Sequence, residues 1–287
     1  MPKINCRARF NMESLRFLGG RQNDRIILFA LCLVGLSVAG PHDSIAQEST
    51  YTLPKDPEAV IVVYDEQSGF GLPRQNPGAV LTILRNGTVL MPDVFGNGRS
   101  FKGQLDEQEV QELLRFMIGK QKFFDYDMEK VKAAMKKAES DRNIPQIADA
   151  PVQVFEVNIA DREHRVSHYA LGMATEYPEI ESLQQLLAIQ KRLRGVMNQT
   201  RVGGRKGVER LLATANRELK SQLPDIKPFS REEFVGAYTR NNGVTTATFS
   251  RTFKDDEGKS TGKFVVASIE LPEKNGEPKV TVRSKLE

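Results

Sequence analysis

The chain has 287 residues, 41 basic and 37 acidic side chains, and two cysteines, Cys6 and Cys32. Both cysteines and most of the net charge of +4 belong to the first 46 residues; without that segment 35 basic groups face 34 acidic ones. The remaining 241 residues can form no disulfide and no cysteine-based zinc site, their bulk charge gives no support to nucleic-acid binding, and their number allows one sizeable core or two smaller ones.

The first recognisable element is RIILFALCLVGLSVAGPHDSIAQ, residues 25–47. Its apolar core, residues 26–40, is 15 residues long, whereas a helix needs about 20 to cross a bilayer. Ahead of it Lys3, Arg7, Arg9, Arg16, Arg21 and Arg25 outnumber Glu13 and Asp24, so the leading end stays cytoplasmic and the rest is exported. Ser44 and Ala46 place small side chains at the −3 and −1 positions of a peptidase site, which predicts cleavage between Ala46 and Gln47. The alternative is an uncleaved signal anchor of the same orientation, with the N-terminal segment as the membrane contact. Pro41 stands after LSVAG where a lipoprotein would carry cysteine, so no lipid anchor is expected. A start at Met12 instead of Met1 gives a leader of more ordinary length. Export without disulfides leans towards a bacterial periplasmic, cell-envelope or secreted protein.

Residues 47–57 are polar and contain prolines, and read as a linker to a domain spanning 58–200. AVIVVY (59–64) reads as a buried strand. In AVLTILRNGTVLM, Asn86-Gly87 between two β-rich runs predicts a hairpin with a type I′ turn centred on that pair. PDVFGNGRSFKG reads as a loop. In LDEQEVQELLRFMIG, Asp106 and Glu109 form a capping box, Leu105 can staple to Val110, Val110, Leu113, Leu114, Met117 and Ile118 share a face, and Gly119 supplies the stop. MEKVKAAMKKAES carries a thin stripe of Val131, Met135 and Ala138, as a surface helix does. From Pro151 the order repeats: VQVFEVNI, a turn at ADRE, HRVSHYAL, then a helix beginning near Pro178 with Ile180, Leu183, Leu187, Val196 and Met197 on its buried face. The fold class is therefore α+β: one antiparallel sheet built from two β-β-α units with helices on one face.

NQTRVGGRKG reads as a connecting loop before a second module, 205–287. Its first helix is marked by Val208, Leu211, Leu212, Ala215 and Leu219. FSREEF repeats the capping logic through Ser230 and Glu233, predicting a second helix that ends at NNG. VTTATFSRTFK, GKFVVASIEL and KVTVRS then form a meander, giving α-α-β-β-β. That element order is similar to small bacterial envelope modules such as the outer-membrane assembly lipoproteins and the secreted β-lactamase inhibitor proteins, a likeness of architecture with no shared site motif.

The chemical candidates are few. His164 and His168 in HRVSH have the i, i+4 spacing that chelates zinc on a helix. The segment alternates like a strand, however, which sets the two rings about 13 Å apart, and the only other histidine is His42 in the leader. Asp125, Asp127 and Glu129 begin like a calcium loop, but Lys130 replaces the required glycine and Lys136 the bidentate acid. DDEG at 255–258 suits a hairpin turn. Ser260 and Lys263 match S-x-x-K without its companion motifs. GNGRSFKG and GGRKG do not match a phosphate loop. Asn86 and Asn198 head N-x-T sequons that matter only in a glycosylating host. No catalytic residue, cofactor or metal is assigned, and the expectation is an exported, non-catalytic protein that binds an envelope or extracellular macromolecule, without nucleic acid. The alternatives are an exported hydrolase with a dispersed carboxylate and histidine site, and a secreted inhibitor-type module. N-terminal sequencing of the exported protein separates the two fates of the leader: the expected first residue is Gln47, and an intact leader would mean an anchor.

Overall fold

The computed structural model describes residues 50–67, 69, 78–94, 99–142, 147–240, 242–272 and 277–286. The apolar leader, its Ala46–Gln47 junction and His42 lie outside the described residues. Among the described residues no helix is long and apolar enough to cross a membrane.

Strand β1 (Val60–Gln67) alternates Val62 and Tyr64 towards the core, and it becomes the centre of a six-stranded sheet. On one side it pairs with β2 (Leu81–Leu84), followed outward by β3 (Thr88–Met91) and β4 (Phe101–Gln104). On the other side it pairs with β5 (Val152–Ile159), which is followed by β6 (Arg162–Tyr169). Every pairing is antiparallel. The α+β class and the antiparallel sheet stand. The first repeated unit is longer than β-β-α, because FKG, at the end of the stretch expected to be loop, belongs to the edge strand β4, and its backbone is satisfied by pairing Gly103 with Val89.

The expected hairpin joins β2 to β3, but its turn is shifted by one residue. Gly87 N–H donates to the Leu84 carbonyl (2.9 Å), so Arg85 and Asn86 are the central pair and, of the three, Gly87 alone has positive φ (81°). A three-residue connection with glycine in the left-handed position follows the strand twist as well as a type I′ pair does. The Asn86 side chain accepts from Thr88 N–H (2.9 Å), which closes the turn locally.

Helix α1 (Glu107–Leu114) starts at the predicted box: Asp106 accepts from Glu109 N–H (2.8 Å) and Glu109 accepts from Asp106 N–H (3.1 Å). Gly119 does not stop it. The chain passes through a π-helical turn, Arg115–Lys120, and the left-handed residue is Lys122 (φ 51°). Helix α2 (Met128–Asp141) follows, capped by Asp127. Helix α3 (Glu181–Arg201) lays Leu183, Leu186, Ile189 and Leu193 into the same core as α1 and the inner faces of β1 to β6. Each such fully buried aliphatic side chain contributes about 1.5 to 3 kcal/mol.

The segment expected to be a linker is tied down. Gln111 of α1 accepts from Tyr51 N–H and donates to Tyr51 O, both at 2.9 Å, and Thr52 O accepts from Ala160 N–H. NQTRVGGRKG is not an open loop either. Asn198–Arg201 complete the last turn of α3, and α4 (Gly204–Gln222) begins after two residues. Residues 48–287 form one compact unit with two apolar clusters; along α3 and α4 the first reaches Met197 and the second starts at Val202.

The second cluster lies between α4 and a four-stranded meander, β7 (Phe234–Thr239), β8 (Thr245–Lys254), β9 (Ser260–Leu271) and β10 (Lys279–Lys285), in the order β10-β9-β8-β7. Here the predicted helix at FSREEF is corrected. Its capping logic operates, since Glu233 accepts from Ser230 N–H (2.7 Å), but it yields one 3-10 turn, Arg231–Glu233, before the chain becomes β7. Two tertiary contacts outweigh the helix. Phe234 pairs with Phe249 across the strands, their rings 5.4 Å apart, and Arg251 of β8 grips both Glu233 oxygens while donating to the Lys227 and Pro228 carbonyls. The module is therefore one helix and four strands, and the α-α-β-β-β likeness to envelope lipoproteins and inhibitor proteins lapses with its second helix.

Gly87 offers a direct test of the hairpin. A Cβ there would lie 2.1 Å from the Leu105 carbonyl oxygen in addition to straining a positive φ. Gly87→Ala is expected to cost about 2 kcal/mol or more, read as a lower urea midpoint at unchanged slope; an unshifted midpoint would refute this turn.

Candidate functional site

The histidines named from the sequence sit on β6, as a strand, with their side chains on its inner face. His168 is only 4% exposed, and burial holds its imidazole below the ordinary histidine range. His164 packs edge-on against Phe123, ring centroids 5.3 Å apart. Nε2 of His164 and Nδ1 of His168 are buried without a protein partner. Among the described residues, no three histidine, cysteine or acidic side chains gather as metal ligands. Asp127 is engaged as the cap of α2, accepting from Glu129 and Lys130 N–H (3.0 and 3.1 Å); these bonds, the Lys130 one foremost, hold its carboxyl below the usual carboxylate range. Asp255 closes the β8–β9 turn by accepting from Glu257 and Lys259 N–H. Ser260 and Lys263 are exposed on β9, and between them Gly262, with φ of 73°, breaks the regular strand.

A different group of residues makes a site. At the junction of the two sheets lies a cleft of about 360 Å³, within the size range of small-ligand pockets. Helix α3 supplies Arg194, Met197, Asn198 and Arg201, an i, i+3, i+4, i+7 stripe on one face. The end of β1 supplies Glu66, the segment after β3 supplies Asp93, and β4 and the residues before it supply Phe101 and Arg99. The end of β7 closes the cleft with Tyr238, Thr239 and Arg240. Four arginines thus face two carboxylates.

Most of these charges are occupied. Gln190 donates to the Tyr64 hydroxyl (3.0 Å), Tyr64 donates to Glu66 Oε1, and Arg194 donates to the same oxygen through Nε (3.0 Å) and Nη2 (2.7 Å). Burial foremost, then Glu66, raises the Tyr64 phenol well above its ordinary value, so it remains a donor. Burial opposes the Arg194 charge, but its bonds to Glu66 outweigh that and raise its pKa. Arg240 contacts the Tyr238 hydroxyl (3.3 Å) and pairs with Glu270 (3.5 Å).

Arg201 differs. Its Nη1 donates to Asn198 Oδ1 (2.9 Å) and to the Ala237 carbonyl of β7 (3.3 Å), and it forms no ion pair among the described residues. Burial lowers its pKa, with the Glu66 charge opposing, while a guanidinium stays cationic in proteins. Gly236 lets β7 come this close, since a Cβ there would lie 2.6 Å from Asn198 Nδ2.

The sequence reading missed all of these arginines. The signal the sequence offers is the Arg194, Met197, Asn198, Arg201 spacing, hidden because Asn198–Arg201 run into the glycines at 203 and 204 and so resemble a loop. Comparison with family models, curated proteins and solved structures returned no match.

His168 makes the fold sensitive to acid. Its folded-state pKa is depressed, so the stability it confers is complete above about pH 6.5, the unfolded value, and is lost as pH falls towards the depressed value. His168→Phe is therefore expected to lose less stability than the wild type between about pH 7.5 and pH 5; equal losses in urea unfolding would rule this out.

Proposed function

We propose that the protein is an exported, non-catalytic binding protein that grips an acidic group of an envelope or extracellular macromolecule in the cleft between its two sheets. The observation that carries the reading is Arg201: a half-buried guanidinium oriented by Asn198 and Ala237 and lacking a carboxylate partner among the described residues. A charge held in place without a contact ion pair retains electrostatic attraction for an incoming anion. Tyr238, which lines the cleft at the edge strand β7, is 51% exposed, which supports a macromolecular partner covering the cleft mouth. Against the hydrolase alternative, Glu66 Oε1 already accepts from Tyr64 and Arg194, a structural role, and the described residues lining the cleft include no histidine, serine or cysteine. Export rests on the leader, and the partner is expected on the same side of the membrane.

The test is cross-linking of the exported protein in its own envelope. Wild type and Lys259→Gln, a change in the exposed β8–β9 turn, are expected to capture the same partner, with recovery falling at least tenfold for Arg201→Gln. Undiminished capture by Arg201→Gln would remove the cleft from the binding surface. Turnover of an envelope substrate that depends on Glu66 would overturn the non-catalytic reading.

A further inference from the structure

We infer that the cleft takes a single carboxylate carried on an apolar body, as at a protein C-terminus ending in an apolar residue or on a free acyl acid. The inference rests on the binding reading above and specifies its ligand. Both hydrogens of Arg201 Nη1 are used, one by Asn198 Oδ1 and one by the Ala237 carbonyl. What remains for the cleft is the Nε and Nη2 edge, which has no partner among the described residues. That edge presents two parallel N–H groups spaced to match the two oxygens of one carboxylate. Because Nη1 is anchored to the helix and to a strand carbonyl, little rotamer entropy is lost on binding.

The rest of the charge limits the anion to one negative charge. Arg194 is committed to Glu66 and Arg240 to Glu270, and Arg99 is not free of interactions either. Glu66 and Asp93 line the same cleft and disfavour a dianion such as a phosphomonoester. Beside the charged wall, Val80, Met91, Val94, Phe101 and Met197 form an apolar one. A ligand that is only charge would leave that wall wet, and one that is only apolar would leave the Arg201 edge unpaired. A carboxylate with an apolar side chain or tail satisfies both.

Calorimetry on the full chain tests this with four probes: a tripeptide ending in leucine with a free carboxylate, the same peptide amidated, octanoate and octyl phosphate. The expected result is binding of a free carboxylate, weakened at least tenfold by amidation and by Arg201→Gln. The amide arm uses wild-type protein, so it remains decisive if the variant fails to fold. Preference for the peptide identifies a protein C-terminus as the source, and preference for octanoate an acyl acid. Equal binding of acid and amide, tighter binding of octyl phosphate than octanoate, or no binding of either acid would overturn the inference. If neither acid binds while Arg201→Gln still releases the cross-linked partner, the ligand class falls and the binding reading stands; if Arg201→Gln changes neither, both fall.

Discussion

The structure depends on one helix serving two cores. The first five turns of α3 complete the apolar layer over the six-stranded sheet, and its last turn reaches the edge of the four-stranded one. An edge strand exposes unpaired carbonyls and amides, and among the described residues β7 has a strand on one side only. Arg201 supplies a donor to that edge at Ala237, and Asn198 fills the space that Gly236 leaves open. A contact that joins the sheets therefore also orients the cleft cation that has no ion pair among the described residues. Stability at the junction and the proposed binding of an anion would have one physical source.

A second constraint sets the charge around that cation. Glu66 ends a core strand beside buried Tyr64, and a carboxylate there is tolerable only if its lone pairs are met. Tyr64 and Arg194 meet them, and Gln190 in turn satisfies the tyrosine oxygen. This chain runs from the sheet core to the cleft wall and fixes Arg194 as a neutralised pair, so the attraction for an anion, as proposed, would concentrate on Arg201. Elsewhere in the second module Arg251 and Glu233 form a bidentate pair, and the arginine also meets two backbone carbonyls. There charge fastens a loop; at the cleft it is left over.

Much of the fold was legible because it rests on short-range physics. The capping box of α1, the apolar faces of α1, α3 and α4, the β2–β3 hairpin and the β8–β10 meander all follow from side-chain periodicity, cap chemistry and glycine placement. The misreadings fall where distant residues decide. Ser230 and Glu233 make a sound helix start, yet Phe249 and Arg251, more than fifteen residues on, convert the following residues to strand. Phe101–Gln104 has no pattern of its own and becomes a strand because β3 offers an open edge. Asn198–Arg201 carry glycines behind them and read as loop, but remain helical where β7 packs against them.

The site was less legible than the fold. A periodic reading finds what one element buries, and the cleft is lined by six separate stretches of chain, each contributing between one and four residues of unremarkable type. The histidines that drew attention by spacing lie on a strand, where that spacing separates them, and they point into a packed core. By itself the sequence determined the α+β class, the strongest helices and hairpins, the near-neutral and cysteine-free composition after residue 46, and the expectation of export. Only tertiary structure decided which cation is left unpaired, because that depends on the distances from Arg201 to Asn198, Ala237 and the nearest carboxylates, set by the packing of two sheets against one helix.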